Sequence, residues 1–154
     1  SNGNRAVILL VDDDPGDQEL TRRALQQDVL RTDLRIVSDG EEALDYLFRR
    51  GCYDGGDAVP RPNLILLDLN VPALGGQEVL AEIKRDPELN RIPVVVLTTS
   101  EQEADILRSY NLGCNSYIQK PVDIDRFIEC VRRLSDYWFE LVVLPNGSAA
   151  LSAP

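Results

Sequence analysis

The sequence contains no histidine and only three cysteines among its 154 residues. Without histidine there is no Ser–His or Cys–His catalytic pair, no histidine-ligated zinc and no phosphohistidine on this chain. Cys52, Cys114 and Cys130 form no CxxC motif, which predicts reduced thiols in a cytoplasmic protein. Any chemistry must therefore depend on carboxylates, hydroxyls and lysines.

Long apolar runs and an excess of positive charge are also missing. No run approaches the length of a membrane-spanning helix, and no basic-then-apolar signal segment opens the sequence. The net charge of −10 argues against nucleic acid or an anionic membrane as a partner of the whole surface. The hydrophobic fraction of 44% and charged fraction of 27% are ordinary for one globular domain.

Short apolar runs alternate with segments of helical periodicity along the chain. The runs predict five strands at 7–11, 34–37, 64–67, 93–97 and 116–119. The periodic segments predict five helices, which begin near residues 17, 40 and 76 and span 101–110 and 124–134. This alternation predicts an α/β fold with a doubly wound, five-stranded parallel sheet.

Polar side chains follow four of these strands, at the point where each strand ends. They are Asp12, Asp13, Asp14, Asp68, Thr98 and Lys120. In open α/β sheets, binding sites lie beyond the carboxyl ends of the strands, so these side chains are expected to form one pocket. Carboxylates gathered without histidine favour a hard cation such as Mg²⁺.

The chemistry of this pocket suits a phosphoryl group. A metal would relieve the repulsion among Asp12, Asp13 and Asp68, while Lys120 would supply a second positive charge. Asp68 is a single acid between an apolar strand and a polar turn, which makes it the candidate to form an aspartyl phosphate. Because the chain has no histidine, the phosphoryl group must arrive from another molecule.

Four motifs resemble the receiver domain of two-component response regulators, over roughly residues 6–135. They are LLVDDDPGD (9–17), LILLDLNVPALGG (64–76), VVVLTTS (94–100) and SYIQKP (116–121). Thr98 and Lys120 follow Asp68 by 30 and 52 positions, which agrees with the pattern of that family, and Gly76 fits its turn glycine. The resemblance implies a flavodoxin-like sheet of strand order 2-1-3-4-5.

The resemblance also implies roles for individual residues. Asp68 is the implied phosphoacceptor, and the implied Mg²⁺ site uses Asp13 and Asp68 directly, Asp12 largely through water and the backbone carbonyl of Asn70. Thr98 resembles the switch hydroxyl, Tyr117 the coupled aromatic that turns inward, and Lys120 the partner of the phosphoryl oxygens. The Lys120–Pro121 bond is expected to be cis.

The loop at 49–63, the segments RPNLILLDLN and RIPVVVLTTS, and an aromatic tail are similar to single-domain regulators paired with bacterial and cyanobacterial phytochromes. This resemblance implies a light-sensing histidine kinase, a bacteriophytochrome, as the upstream partner. In that subfamily the last helix and its extension contribute to a homodimer.

The tail at 136–145 leaves two structural alternatives. It could fold back on its own domain as the last turn of the final helix, or form an exposed apolar patch that marks an interface. Because a receiver is complete by about residue 135, we expect a dimer contact. Its residues would be Trp138, Phe139, Leu141 and Val143, followed by a disordered tail at 146–154.

Two acids near the cluster are expected to have structural roles. Alternation along the chain aims Asp14 away from Asp13, outside the metal ligands, and Asp17 is expected to stabilise the dipole of the first helix.

The resulting hypothesis is a single-domain response regulator that is phosphorylated on Asp68 and is not an enzyme beyond self-catalysed phosphotransfer and slow autodephosphorylation. One alternative is a Mg²⁺-dependent aspartyl-phosphate phosphatase, but Asn70 stands where such enzymes have a second acid. The other is a receiver-like scaffold that is not phosphorylated.

Overall fold

The apolar runs form a parallel sheet in the computed structural model, which describes residues 5–55, 59–99 and 113–144. Its strands are β1 (Ala6–Val11), β2 (Thr32–Val37), β3 (Leu64–Asp68), β4 (Val94–Thr98) and β5 (Ser116–Gln119). All neighbouring strands are parallel, and their order is β2-β1-β3-β4-β5. The predicted fold class is therefore confirmed.

Helices connect and cover the strands. They are α1 (Pro15–Leu25), α2 (Gly40–Phe48), α3 (Gly76–Arg85), α4 (Ile124–Leu134) and α5 (Asp136–Val142), with short 3₁₀ turns at Gly51–Tyr53 and Leu89–Arg91. Aspartates at positions 14, 39 and 123 begin three of the helices, because their carboxylates accept backbone N–H groups of the first turn. The helix predicted at 101–110 lies outside the described residues.

Both faces of the sheet are covered at its central strands β1, β3 and β4, which explains why these three appear in the sequence as uninterrupted apolar runs. On one face, Leu9, Val11 and Ile65 belong to the core that α2 and α3 cover. On the other face, Ile8 and Leu10 belong to the core that α1, α4 and the end of α5 cover. Among the described helices, none is long and apolar enough to cross a membrane.

Gly76 allows the start of α3 to lie directly against the residues that follow β3. A Cβ atom at this position would be 2.5 Å from the Cα of Leu69 and 2.6 Å from the carbonyl oxygen of Asp68. Only glycine fits this approach without a shift of backbone. The glycine thus sets the path of the loop beside Asp68.

The chain beyond α4 folds back onto its own domain. Val142 and Val143 are buried in the same core as α1 and α4. The Arg31 N–H donates to the carbonyl of Val142, and the Leu144 N–H donates to that of Val29, each at 2.8 Å. The extension is thereby fixed beside the turn between α1 and β2.

This placement differs from the expected dimer contact at Val143, which is 2% exposed within its own chain. The core does not end near residue 135, because Val142 and Val143 fill the space beside the α1–β2 turn. Trp138, Phe139 and Leu141 pack against the same core but stay partly exposed, and Tyr137 is 64% exposed. The residues at 145–154, including the predicted tail, lie outside the described part of the chain.

Candidate phosphorylation and metal site

The strand register brings the polar residues to one edge of the sheet. Val11 of β1 is paired with Leu67 of β3, so Asp12 and Asp68 are the next residues on neighbouring strands. The N–H of Lys120 donates to the carbonyl of Thr98 at 2.9 Å, which ties the ends of β4 and β5. The register therefore brings these strand ends together at the carboxyl edge of the sheet.

Three carboxylates form a cluster that fits a divalent cation. Oxygen atoms of Asp12, Asp13 and Asp68 lie within 4.8 Å of one another, with Asp13 exposed and the other two buried. Asp12 Oδ1 accepts the Asp14 N–H at 3.0 Å. Asp12 Oδ2 is buried and lies against the Lys120 ammonium group. Clustered carboxylate oxygens are the ligands that a hard cation such as Mg²⁺ prefers.

Lys120 lies against three carboxylates at once. Its Nζ atom is 2.7 Å from Asp68 Oδ2, 2.8 Å from Asp12 Oδ2 and 3.0 Å from Asp17 Oδ2. The contacts with Asp68 and Asp17 are hydrogen bonds, and Asp12 forms an ion pair with the same ammonium group. Only 6% of the lysine side chain is exposed.

The protonation equilibria follow from burial and charge. Burial raises the pKa of Asp12, and the contact with Lys120 offsets only part of that rise. For Lys120, burial by itself lowers the pKa, but the contacts with Asp12, Asp68 and Asp17 outweigh burial and leave the pKa raised. Lys120 is therefore a stable ammonium group within an excess of negative charge.

Both oxygens of Asp68 are engaged. Oδ1 accepts the N–H of Asn70 at 2.9 Å, and Oδ2 accepts a hydrogen bond from Lys120. The residue is 5% exposed at the end of β3. These contacts fix the orientation of the carboxylate toward the cluster.

The expected switch residues occupy two different environments. Thr98 is 2% exposed at the end of β4, whereas Tyr117 is 38% exposed on the edge strand β5. Tyr117 borders a cavity of about 190 Å³ between β5 and α4, which Arg126 and Arg133 also line. The Lys120–Pro121 peptide bond that follows is cis.

Asp14 lies outside the cluster, as the alternation of side chains indicates. Its carboxylate begins α1 by accepting the N–H groups of Gly16 and Asp17 at 2.7 and 3.1 Å. Gln18 also supports the loop, since its Nε2 donates to the carbonyl of Asp12. These contacts hold the turn between β1 and α1.

Asp17 lies in the first turn of α1, as expected for an acid that stabilises the helix dipole. Its carboxylate also reaches Lys120, a contact that the sequence pattern does not predict. The available signal was its place as the third residue of α1, where side chains point back toward the helix start and so toward the strand ends.

Comparison with known proteins yields a family and close relatives. Residues 8–132 match the model of the response regulator receiver domain. Response regulator Rcp1 from Synechocystis sp. is 45% identical over 139 residues, which are 90% of this chain and 92% of Rcp1.

Two solved structures are similar over more than nine-tenths of the chain. The phosphorylated cyanobacterial phytochrome response regulator RcpA is 43% identical with a TM-score of 0.74, covering 92% of this chain and 99% of RcpA. The Mn²⁺-bound form of Rcp1 is 45% identical with a TM-score of 0.72, covering 91% of this chain and 99% of that one. The acidic cluster, the lysine beside it and these matches together show that the chain belongs to the response regulator receiver domain family.

Proposed function

We propose that this protein is a response regulator that accepts a phosphoryl group on Asp68 from a histidine kinase and then changes its interaction surface. The hydrogen bond of 2.7 Å between Lys120 Nζ and Asp68 Oδ2, next to the Asp12 and Asp13 carboxylates, carries this proposal. This arrangement would combine the nucleophile Asp68, the cationic Lys120 and the proposed metal ligands at one site.

Asp12, Asp13 and Asp68, with the backbone carbonyl of Asn70, would hold Mg²⁺. The bound ion would supply positive charge that offsets the charge on the phosphoryl oxygens during transfer. The Mn²⁺-bound structure of Rcp1 supports a divalent cation in this family. Lys120 would neutralise a further phosphoryl oxygen from the opposite side.

In the proposed transfer, an oxygen of Asp68 forms a bond to phosphorus. The bond between phosphorus and the histidine nitrogen of the kinase breaks, and its electron pair stays on the imidazole. With acetyl phosphate as donor, a phosphorus–oxygen bond breaks and acetate leaves. The protein would promote its own phosphorylation and, later, the slow hydrolysis of the aspartyl phosphate. It would not turn over a separate substrate.

Thr98 and Tyr117 would report the added charge. We expect the Thr98 hydroxyl to move toward the phosphoryl group and the Tyr117 ring to turn inward from the exposed edge of β5. The face formed by β5 and α4 would then present a different surface to partners.

The proposed kinase is a phytochrome-type photoreceptor in the cytoplasm. The support is the similarity to RcpA and Rcp1, of which RcpA is described as a phytochrome response regulator. We also propose a homodimer contact on α5, where Tyr137 is exposed and Trp138, Phe139 and Leu141 keep partly exposed side chains.

Phosphorylation can be tested with purified protein, acetyl phosphate and Mg²⁺, with the intact mass as readout. We expect a phosphoryl adduct that Asp68→Asn abolishes and that the matched variant Asp54→Asn retains, because Asp54 is an exposed acid in the loop after α2. If neither acetyl phosphate nor a phosphorylated kinase labels the native protein, the proposal is wrong.

A further inference from the structure

We infer that Asp17 is a positioning residue that holds the Lys120 ammonium group in place while Asp68 is phosphorylated, an inference that rests on the proposed function. The observation is the partly buried contact of 3.0 Å between Asp17 Oδ2 and Lys120 Nζ, which joins residues 103 positions apart. Asp17 would touch neither the phosphoryl group nor the metal and would act only through the lysine.

Of the three carboxylates on Lys120, only Asp17 stands apart from the expected reaction. Asp68 is the proposed phosphoacceptor, so its contact with the lysine must change when a phosphoryl group is attached. Asp12 belongs to the acidic cluster that would hold the metal, so its contact with the lysine is shared with the ion. Among the described contacts of the lysine, the hydrogen bond with Asp17 involves neither the phosphoacceptor nor the acidic cluster, so it can persist before, during and after transfer.

A lysine needs such an anchor because its ammonium group sits on a flexible four-carbon stem. The group has three N–H donors, so it can keep Asp17 on one donor while another passes from Asp68 to a phosphoryl oxygen. Positioning of this kind matters for rate, because small displacements of a catalytic charge are costly.

Asp17 is itself rigidly placed. It is the third residue of α1, and its backbone N–H donates to Asp14 Oδ1 in the cap of the helix. Its side chain is 30% exposed, whereas that of Lys120 is 6% exposed, so the lysine is the more deeply buried partner. Helix α1 thus carries a fixed acceptor for a lysine that follows β5.

The test compares phosphorylation rates with acetyl phosphate at saturating Mg²⁺ in native protein and variants. We expect Asp17→Ala to lower the rate constant by about tenfold, the effect of losing one hydrogen bond to a charged group. Asp17→Asn should recover part of the rate, because an amide oxygen still accepts a hydrogen bond. The Mg²⁺ concentration giving half the maximal rate should change by less than about twofold.

Asp14→Asn is the matched control. It removes the same charge from the same turn and preserves the cap, since asparagine caps as well as aspartate. Asp14 caps α1 through backbone N–H groups, so this variant should keep the native rate. A double-mutant cycle with Lys120→Met completes the design, because an effect that runs through Lys120 disappears when the lysine is absent.

A second measurement does not require phosphorylation. In ¹⁵N-labelled protein, we expect hydrogen exchange of the Lys120 ammonium group to accelerate at least about fivefold in Asp17→Ala and to stay unchanged in Asp14→Asn. Equal exchange in these two variants, equal phosphorylation rates, or an Asp17→Ala effect that survives in Lys120→Met would each overturn the inference. A native protein that never acquires the adduct would instead overturn the proposed function.

Discussion

Lys120 Nζ lies 2.7 Å from Asp68 Oδ2 although their strands are not neighbours in the sheet. Asp68 ends β3 and Lys120 follows β5, with β4 between them. Two strand spacings are about 9.6 Å, so only a long side chain can close this distance. The site therefore depends on the order of the strands as much as on the identity of its residues.

Removal of the Lys120 charge is expected to destabilise the protein when no divalent cation is present. Lys120→Met keeps an apolar stem but leaves three carboxylates without their shared ammonium group. We expect the free energy of unfolding in urea to fall by about 3 kcal/mol, and Mg²⁺ to recover part of the loss.

Lys84→Met is the control for this variant. Burial lowers the pKa of Lys84, and no carboxylate pairs with it among the ion pairs of the described residues. Loss of its charge should cost less than about 1 kcal/mol. Equal losses for the two variants would contradict the ion-pair explanation.

Neutralisation of Asp12 is expected to stabilise the protein, whereas Lys120→Met is expected to destabilise it. Because burial raises its pKa above 3.8, the folded protein binds this proton more tightly than the unfolded chain does. The ionised side chain therefore costs stability as pH rises from 3.8 through the raised pKa, and the full cost is present at neutral pH.

Asp12→Asn removes that cost. Without Mg²⁺, we expect the variant to exceed the native protein in free energy of unfolding by roughly 1 kcal/mol at pH 7, and the gain to vanish toward pH 3.5. Urea titrations at both values of pH measure this difference. A gain that is as large in acid as at neutral pH would show that another cause is at work.

Much of the site was accessible from the sequence, because Asp12, Asp68 and Thr98 stand at the ends of the apolar runs of β1, β3 and β4. Burial on both faces makes the ends of these central strands visible in the sequence, and parallel strands bring all strand ends to one edge. The pattern of residues alone therefore assigns Asp12, Asp68, Thr98 and Lys120 to one pocket.

The contact of Asp17 with Lys120 and the burial of Val143 were harder to predict from the sequence, because both depend on how separate elements pack. The contact between Asp17 and Lys120 depends on the direction in which α1 leaves the sheet, which periodicity does not encode. A surplus apolar segment has the same pattern whether it covers its own domain or a partner. Only the space beside the α1–β2 turn decides that Val143 is buried within the chain.

Gly76 gives a test of the loop that carries Asp68 into the site. Gly76→Ala places a Cβ atom 2.5 Å from the Cα of Leu69, so backbone must move. We expect a loss of at least about 2 kcal/mol in the free energy of unfolding and slower phosphorylation from acetyl phosphate. The neighbouring Gly75 has nothing within 4 Å of the same added atom, so Gly75→Ala should cost at most about 1 kcal/mol.

Two substitutions near the end of the chain separate the role of helix α5 in folding from its proposed role in dimerisation. Val142 is fully buried, so Val142→Ala should lower the free energy of unfolding by about 2 kcal/mol. Tyr137 is 64% exposed, so Tyr137→Ala should leave the stability of the monomer within about 0.5 kcal/mol. Under the proposed dimer contact, Tyr137→Ala should nevertheless shift the mass measured by light scattering toward the monomer. A native protein that is monomeric across the concentration range, or a dimer that Tyr137→Ala leaves intact, would argue that α5 serves its own domain alone.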